Sequence, residues 1–115
     1  MPTNLNILNT EYKIIFKNEK EEIRLVENWG FTDFHTKEIY IRDDIEKETN
    51  DSCKNLVDFK NKVLRHEILH AFLYESGLRE NSNGNRAWAE NEEMIDWFAI
   101  QSPKIFQIYK KINIL

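Results

Sequence analysis

One cysteine, two prolines and three glycines among 115 residues leave this chain short of several structural devices. Cys53 has no second cysteine to pair with, so a disulfide-stapled scaffold is excluded and stability must come from a packed core. Scarce Pro and Gly also argue against a low-complexity linker. No apolar run approaches the roughly 18 residues of a membrane-spanning helix. The opening MPTNLN has neither the charged start nor the apolar centre of a secretory signal. A basic stripe is missing too. The 16 Lys and Arg are interleaved with 20 Asp and Glu, for a net charge of −4, which does not suit a chain that tracks phosphates. The expectation is one compact cytoplasmic domain over residues 1–115, with no nucleic-acid and no membrane partner. A 41% hydrophobic and 31% charged composition fits a folded chain of this length. Oligomeric state leaves no mark on the sequence.

The first half reads as strands. Residues 11–17 (EYKIIFK) are short and rich in β-formers, whereas 19–28 (EKEEIRLVEN) are ambiguous. Residues 29–34 (WGFTDF) and 37–42 (KEIYIR) flank a polar His35-Thr36 and predict a hairpin, with Ile39 and Ile41 on one face and Tyr40 and Arg42 on the other. The second half reads as helices. Over residues 55–76 the apolar positions Leu56, Phe59, Val63, Leu64 and Ala71 recur at three- and four-residue steps. Asp51 or Ser52 can cap the start, and Gly77 stands where a left-handed cap would end it. Residues 80–86 (ENSNGNR) read as a loop. A second helix is expected over 87–101, with Ser102-Pro103 stopping it and opening a short third one, where Ile105, Ile108 and Ile112 form an apolar stripe.

The first helix contains His66-Glu67-Ile68-Leu69-His70, an HExxH motif. Spacing of four places both imidazoles on one helix face, one turn apart, so two nitrogens can converge on a single tetrahedral zinc ion. Glu67 lies about 100° around the helix from His66, beside the metal rather than aimed at it. That position suits a general base that takes a proton from zinc-bound water. The plainer reading is a solvated helix face, or satisfied core histidines. Against it, two of only three histidines fall at ligand spacing, inside an amphipathic helix. For a third ligand, Glu90, Glu92 and Glu93 all compete.

HExxH followed about twenty residues later by Asn91-Glu92-Glu93-Met94-Ile95-Asp96 resembles the HExxH…NExxxD pattern of gluzincin metallopeptidases. The resemblance implies Glu92 as third zinc ligand, with Glu93 in reserve, and Asp96 as the carboxylate that orients a ligating histidine. HEILHAFLYESGL with EEMIDWFAIQSPKI is also similar to ImmA/IrrE-like and minigluzincin proteins of phages and prophages, with Asp96 where the ImmA/IrrE group has Asn. It implies a peptide or protein substrate. It also implies an oxyanion donor, for which Tyr74 and Tyr109 are the candidates and packing is the plainer role. In such peptidases an edge strand beside the active-site helix lines the cleft, a place that residues 37–42 would take.

The expected fold is α+β: a three-stranded antiparallel or mixed sheet packed on the HExxH helix, a second ligand-bearing helix and a short C-terminal helix. The expected function is zinc-dependent peptide hydrolysis with one ion and Glu67 as base. The alternative is a non-catalytic zinc-binding interaction module, whose fourth ligand would be a side chain such as His35 or Cys53.

Overall fold

The computed structural model describes residues 3–44, 56–81 and 90–115. Strand β1 (Asn4–Ile7) turns back on β2 (Thr10–Lys17) through Leu8 and Asn9, both with positive φ, 50° and 70°. A type I′ two-residue hairpin turn needs that conformation at both positions, and the Asn6 side chain braces it by accepting from the Asn9 N–H at 2.8 Å. A short 3₁₀ turn at Ile23–Leu25 buries Leu25 and leads to β3 (Gly30–Asp33) and β4 (Glu38–Arg42). The strand order is β1-β2-β4-β3, with β2 and β4 parallel and the other two pairs antiparallel.

The fold is thus α+β with a mixed sheet of four strands among the described residues, one more than expected. The additional strand is β1. Leu5 and Ile7 sit between asparagines and form a strand because β2 offers them an edge to pair with. The hairpin of β3 and β4 lies where expected, but β4 is interior and β3 forms the edge. Ile39 and Ile41 are fully buried, within a core that includes Ile7, Tyr12, Val63 and Ala71. Tyr40, expected on the opposite face, is buried as well. It stacks on Phe31 at 4.7 Å, beneath the Arg24 guanidinium.

Helix α1 (Leu56–Glu75) presents Val63, Glu67 and Ala71 as its buried row, four residues apart. Gly77 follows at φ 83° as the expected left-handed cap, and α2 (Leu78–Asn81) begins immediately after it. The last turn of α1 is tied to the sheet by Glu75, which accepts from Thr10 Oγ1, Tyr12 OH and Lys37 Nζ at 3.1, 2.6 and 2.7 Å.

Helix α3 runs unbroken from Glu92 to Lys111, with Pro103 inside it, so the expected second and third helices are one. Proline deprives the carbonyl four residues back, Ala99, of its helical donor. Arg65 Nε supplies a replacement from α1 at 2.6 Å. At its other end α3 starts at Glu92, because Asn91 caps it by accepting from the Met94 N–H at 2.7 Å. Residues 87–89, Asp51, Ser52 and Cys53 lie outside the described residues.

Candidate metal centre

Three elements meet at the histidines: the middle of α1, the first turn of α3 and the edge strand β3. His66 and His70 stand one turn apart with their rings edge-on at 66°, their Nε2 atoms 3.2 Å from each other. The N-cap at Asn91 turns Glu92 toward them, its carboxylate 2.8 Å from His66 Nε2 and 3.0 Å from His70 Nε2. The ligand atoms of these three residues all lie within 4.8 Å of one another. Glu93 takes no part in this group, and Glu90 is engaged by Arg79 at 2.8 Å.

The donor set suits a cation on two grounds. Ligands on a tetrahedral zinc with bonds of about 2.0–2.1 Å stand about 3.3–3.4 Å apart, near the separation of the two nitrogens. The carboxylate sits a few tenths of an ångström closer. Protonation supplies the second ground. His66 Nδ1 faces Asp96 Oδ1 at 3.3 Å. A hydrogen given to that carboxylate leaves Nε2 with a lone pair aimed at the Glu92 carboxylate, an approach that only a proton or a cation between them makes attractive. Burial also holds the His70 imidazole below its ordinary pKa against the attraction of Glu92, which favours the neutral form a metal binds.

Glu67 is 6% exposed and sits on the buried row of α1. Burial pushes its carboxyl up to about 7; attraction to His66 and a hydrogen bond with Thr32 oppose this, and repulsion from Glu92 adds to it. Thr32 Oγ1 lies 2.9 Å from Glu67 Oε1 and 3.0 Å from the Glu67 carbonyl. One hydroxyl hydrogen serves one acceptor at a time. With Glu67 ionised it goes to the carboxylate; with Glu67 protonated, the carboxyl donates to Thr32 and the hydroxyl turns to the carbonyl. Thr32 can therefore hold Glu67 in either state.

Two clefts open beside the centre and share Asn28, Gly30, Glu67 and Glu92. One is lined also by Trp29, Lys62, His66 and Asp96, the other by Phe31, Thr32, Phe34 and His70. Gly30 permits this closeness: a Cβ there would meet Tyr40 O at 2.9 Å and Val63 Cγ1 at 3.1 Å. Lys62, one turn before His66, reaches the same Asp96 oxygen at 3.2 Å.

His66, His70, Glu92, Asp96 and Glu67 are thus brought together, and Tyr74, Tyr109 and His35 are not. Tyr74 stacks on Phe34 at 4.4 Å, beneath Lys37 and Arg79, and lines neither cleft. Tyr109 stands about 25 Å along α3 from Glu92 at 1.5 Å per residue, too far to serve as an oxyanion donor there. His35 belongs to the β3–β4 turn, where its N–H donates to Asp33, and is not in the ligand group. Residues 37–42 do not edge the cleft; β3 does. Thr32 and Lys62 were missed. Lys62 carries a readable signal in its four-residue spacing from His66, and Thr32 carries none.

No family model, no curated protein and no solved structure matches this chain. No helix among the described residues is long and apolar enough to cross a membrane.

Proposed function

We propose that this protein is a zinc-dependent peptide-bond hydrolase of gluzincin type. The observation that supports it best is the convergence of His66, His70 and Glu92 within 4.8 Å, beside a buried carboxyl that faces the same clefts. His66 and His70 would hold one zinc with Glu92, and Asp96 would fix the His66 tautomer. A zinc ion there supplies a Lewis acid that polarises a carbonyl and lowers the pKa of water toward about 7. Glu67 takes the proton from the attacking water and returns it to the leaving amine, while Thr32 keeps its carboxyl in place through both states. Edge strand β3 would offer unpaired backbone groups to an extended peptide.

The competing reading is a zinc-stabilised interaction module, which requires a fourth protein ligand. Among the described residues the group has three, which favours an open position. The test is metal content together with cleavage of a mixed peptide library by the wild type and by Glu67→Gln. The reading expects one zinc per chain, cleavage abolished by a chelator, and cleavage lost in Glu67→Gln while zinc is retained. Zinc without cleavage selects the interaction module, and full cleavage by Glu67→Gln removes Glu67 as the base.

A further inference from the structure

The helix that begins at the candidate metal centre ends in a surface of a different kind. Residues 97–115 contain Lys104, Lys110 and Lys111 and not one Asp or Glu, in a chain whose net charge is −4. At 3.6 residues per turn, Ile105, Phe106, Ile108, Tyr109 and Ile112 fall on one arc about 160° wide. Lys104, Gln107, Lys110 and Lys111 occupy the remainder, with Lys104 and Lys111 flanking one edge of the apolar arc and Lys110 the other.

Ile95, Ala99 and Ser102, earlier on α3, are buried. From Pro103 onward only Ile105 keeps partial burial. Phe106 is 42% exposed, Ile108 61%, Tyr109 39% and Ile112 59%. The helix runs past the core with most of its apolar arc uncovered and its charge of a single sign.

We propose that residues 103–112, the end of α3 with its C-cap Ile112, dock on an anionic lipid surface, with Phe106, Ile108, Tyr109 and Ile112 in the acyl boundary and the three lysines at headgroup level. An apolar arc bordered by lysines is the pattern of helices that lie in the interface plane. Charge separates this occupant from a second copy of the chain. Pairing two such arcs would bring the flanking lysines of both copies along one seam, with no acid from residues 97–115 to offset them. An anionic surface offsets them directly. The expectation of no membrane partner rested on the length of apolar runs, which bears on spanning and not on lying in the interface.

The test is sedimentation of the full chain with phosphatidylcholine vesicles, with and without phosphatidylglycerol. Binding is expected to the anionic vesicles alone and to weaken as salt rises. Each lysine contributes on the order of fivefold near such a surface, so Lys104→Glu/Lys110→Glu/Lys111→Glu should lower partitioning roughly 100-fold or more. Ile108→Ser/Ile112→Ser should lower it about tenfold or more at these solvent-exposed positions. Unchanged circular dichroism and zinc content in both variants keep the result independent of folding and of the proposed metal chemistry. Equal binding to neutral vesicles, absence of binding, or a dimer in light scattering that Ile108→Ser/Ile112→Ser dissociates would each overturn the proposal, the last in favour of self-association.

Discussion

Arg65 donates its Nε–H to the carbonyl of Ala99 at 2.6 Å, the carbonyl that Pro103 leaves without a helical partner. A single cross-helix bond thus lets α3 pass through a proline and pins α3 to α1 next to the histidines. Charged donors to a buried acceptor contribute about 1.5–3 kcal/mol. Arg65→Met should therefore lower the melting temperature by roughly 5–15 °C for a domain of this size. Adding Pro103→Ala restores an N–H to Ala99 and should recover a good part of that loss. A double-mutant cycle by thermal denaturation measures the coupling, and strictly additive effects would show that the two residues do not act on the same carbonyl.

Features confined to one helix or one hairpin were legible in the sequence, and those that depend on distant elements meeting were not. His66 and His70 need only the helical period. Selecting Glu92 over Glu93 took a family pattern; the structure gives the local cause, since the Asn91 cap sets where α3 starts. The Thr32–Glu67 contact joins residues 35 apart in sequence and exists because Gly30 lets β3 lie against α1. Pro103 looked like a helix stop because its rescuer, Arg65, belongs to another helix. β1 escaped notice because two apolar residues among asparagines become a strand only beside β2.

The three proposed ligands should differ sharply from their neighbours in a zinc competition assay with a chromogenic chelator. His66→Ala, His70→Ala and Glu92→Gln should each weaken zinc binding by well over 100-fold, whereas Glu93→Gln should leave it within about twofold. Asp96→Asn should weaken it about 10–100-fold, the usual cost of losing a carboxylate that orients a ligating histidine. Equal losses in Glu92→Gln and Glu93→Gln would mean that the first turn of α3 offers charge rather than a specific ligand.

Thr32→Val keeps the shape of the side chain and removes the hydroxyl between the Glu67 carboxyl and the helix carbonyl. Turnover on a cleaved peptide should fall about tenfold or more, because a general base needs a held position as well as a suitable pKa. Zinc affinity should stay within about twofold, since Thr32 touches no proposed ligand. Thr32→Ser should retain most of the activity. If Thr32→Ser falls as far as Thr32→Val, packing of the methyl group matters and the hydroxyl does not.

Asp33 supplies a prediction independent of the metal. Its carboxylate accepts from Arg24 at 2.7 Å and from the Thr36 and His35 N–H groups at 3.1 and 3.0 Å, closing the turn between β3 and β4. The Arg24 hydrogen bond, followed by that of Thr36, holds its carboxyl down at about 2 against partial desolvation. The folded form therefore binds this proton more weakly than the unfolded chain does. The resulting stability is fully present above the ordinary Asp value of about 4 and is lost as pH falls through about 2. After solvent screening it should amount to about 1 kcal/mol at neutral pH. Urea denaturation at pH 7 should show Asp33→Asn less stable by that amount, and the gap between mutant and wild type should close as the pH is lowered toward 2. A gap that stayed constant over this range would show that Asp33 acts through its hydrogen-bond geometry alone, with no contribution from its charge.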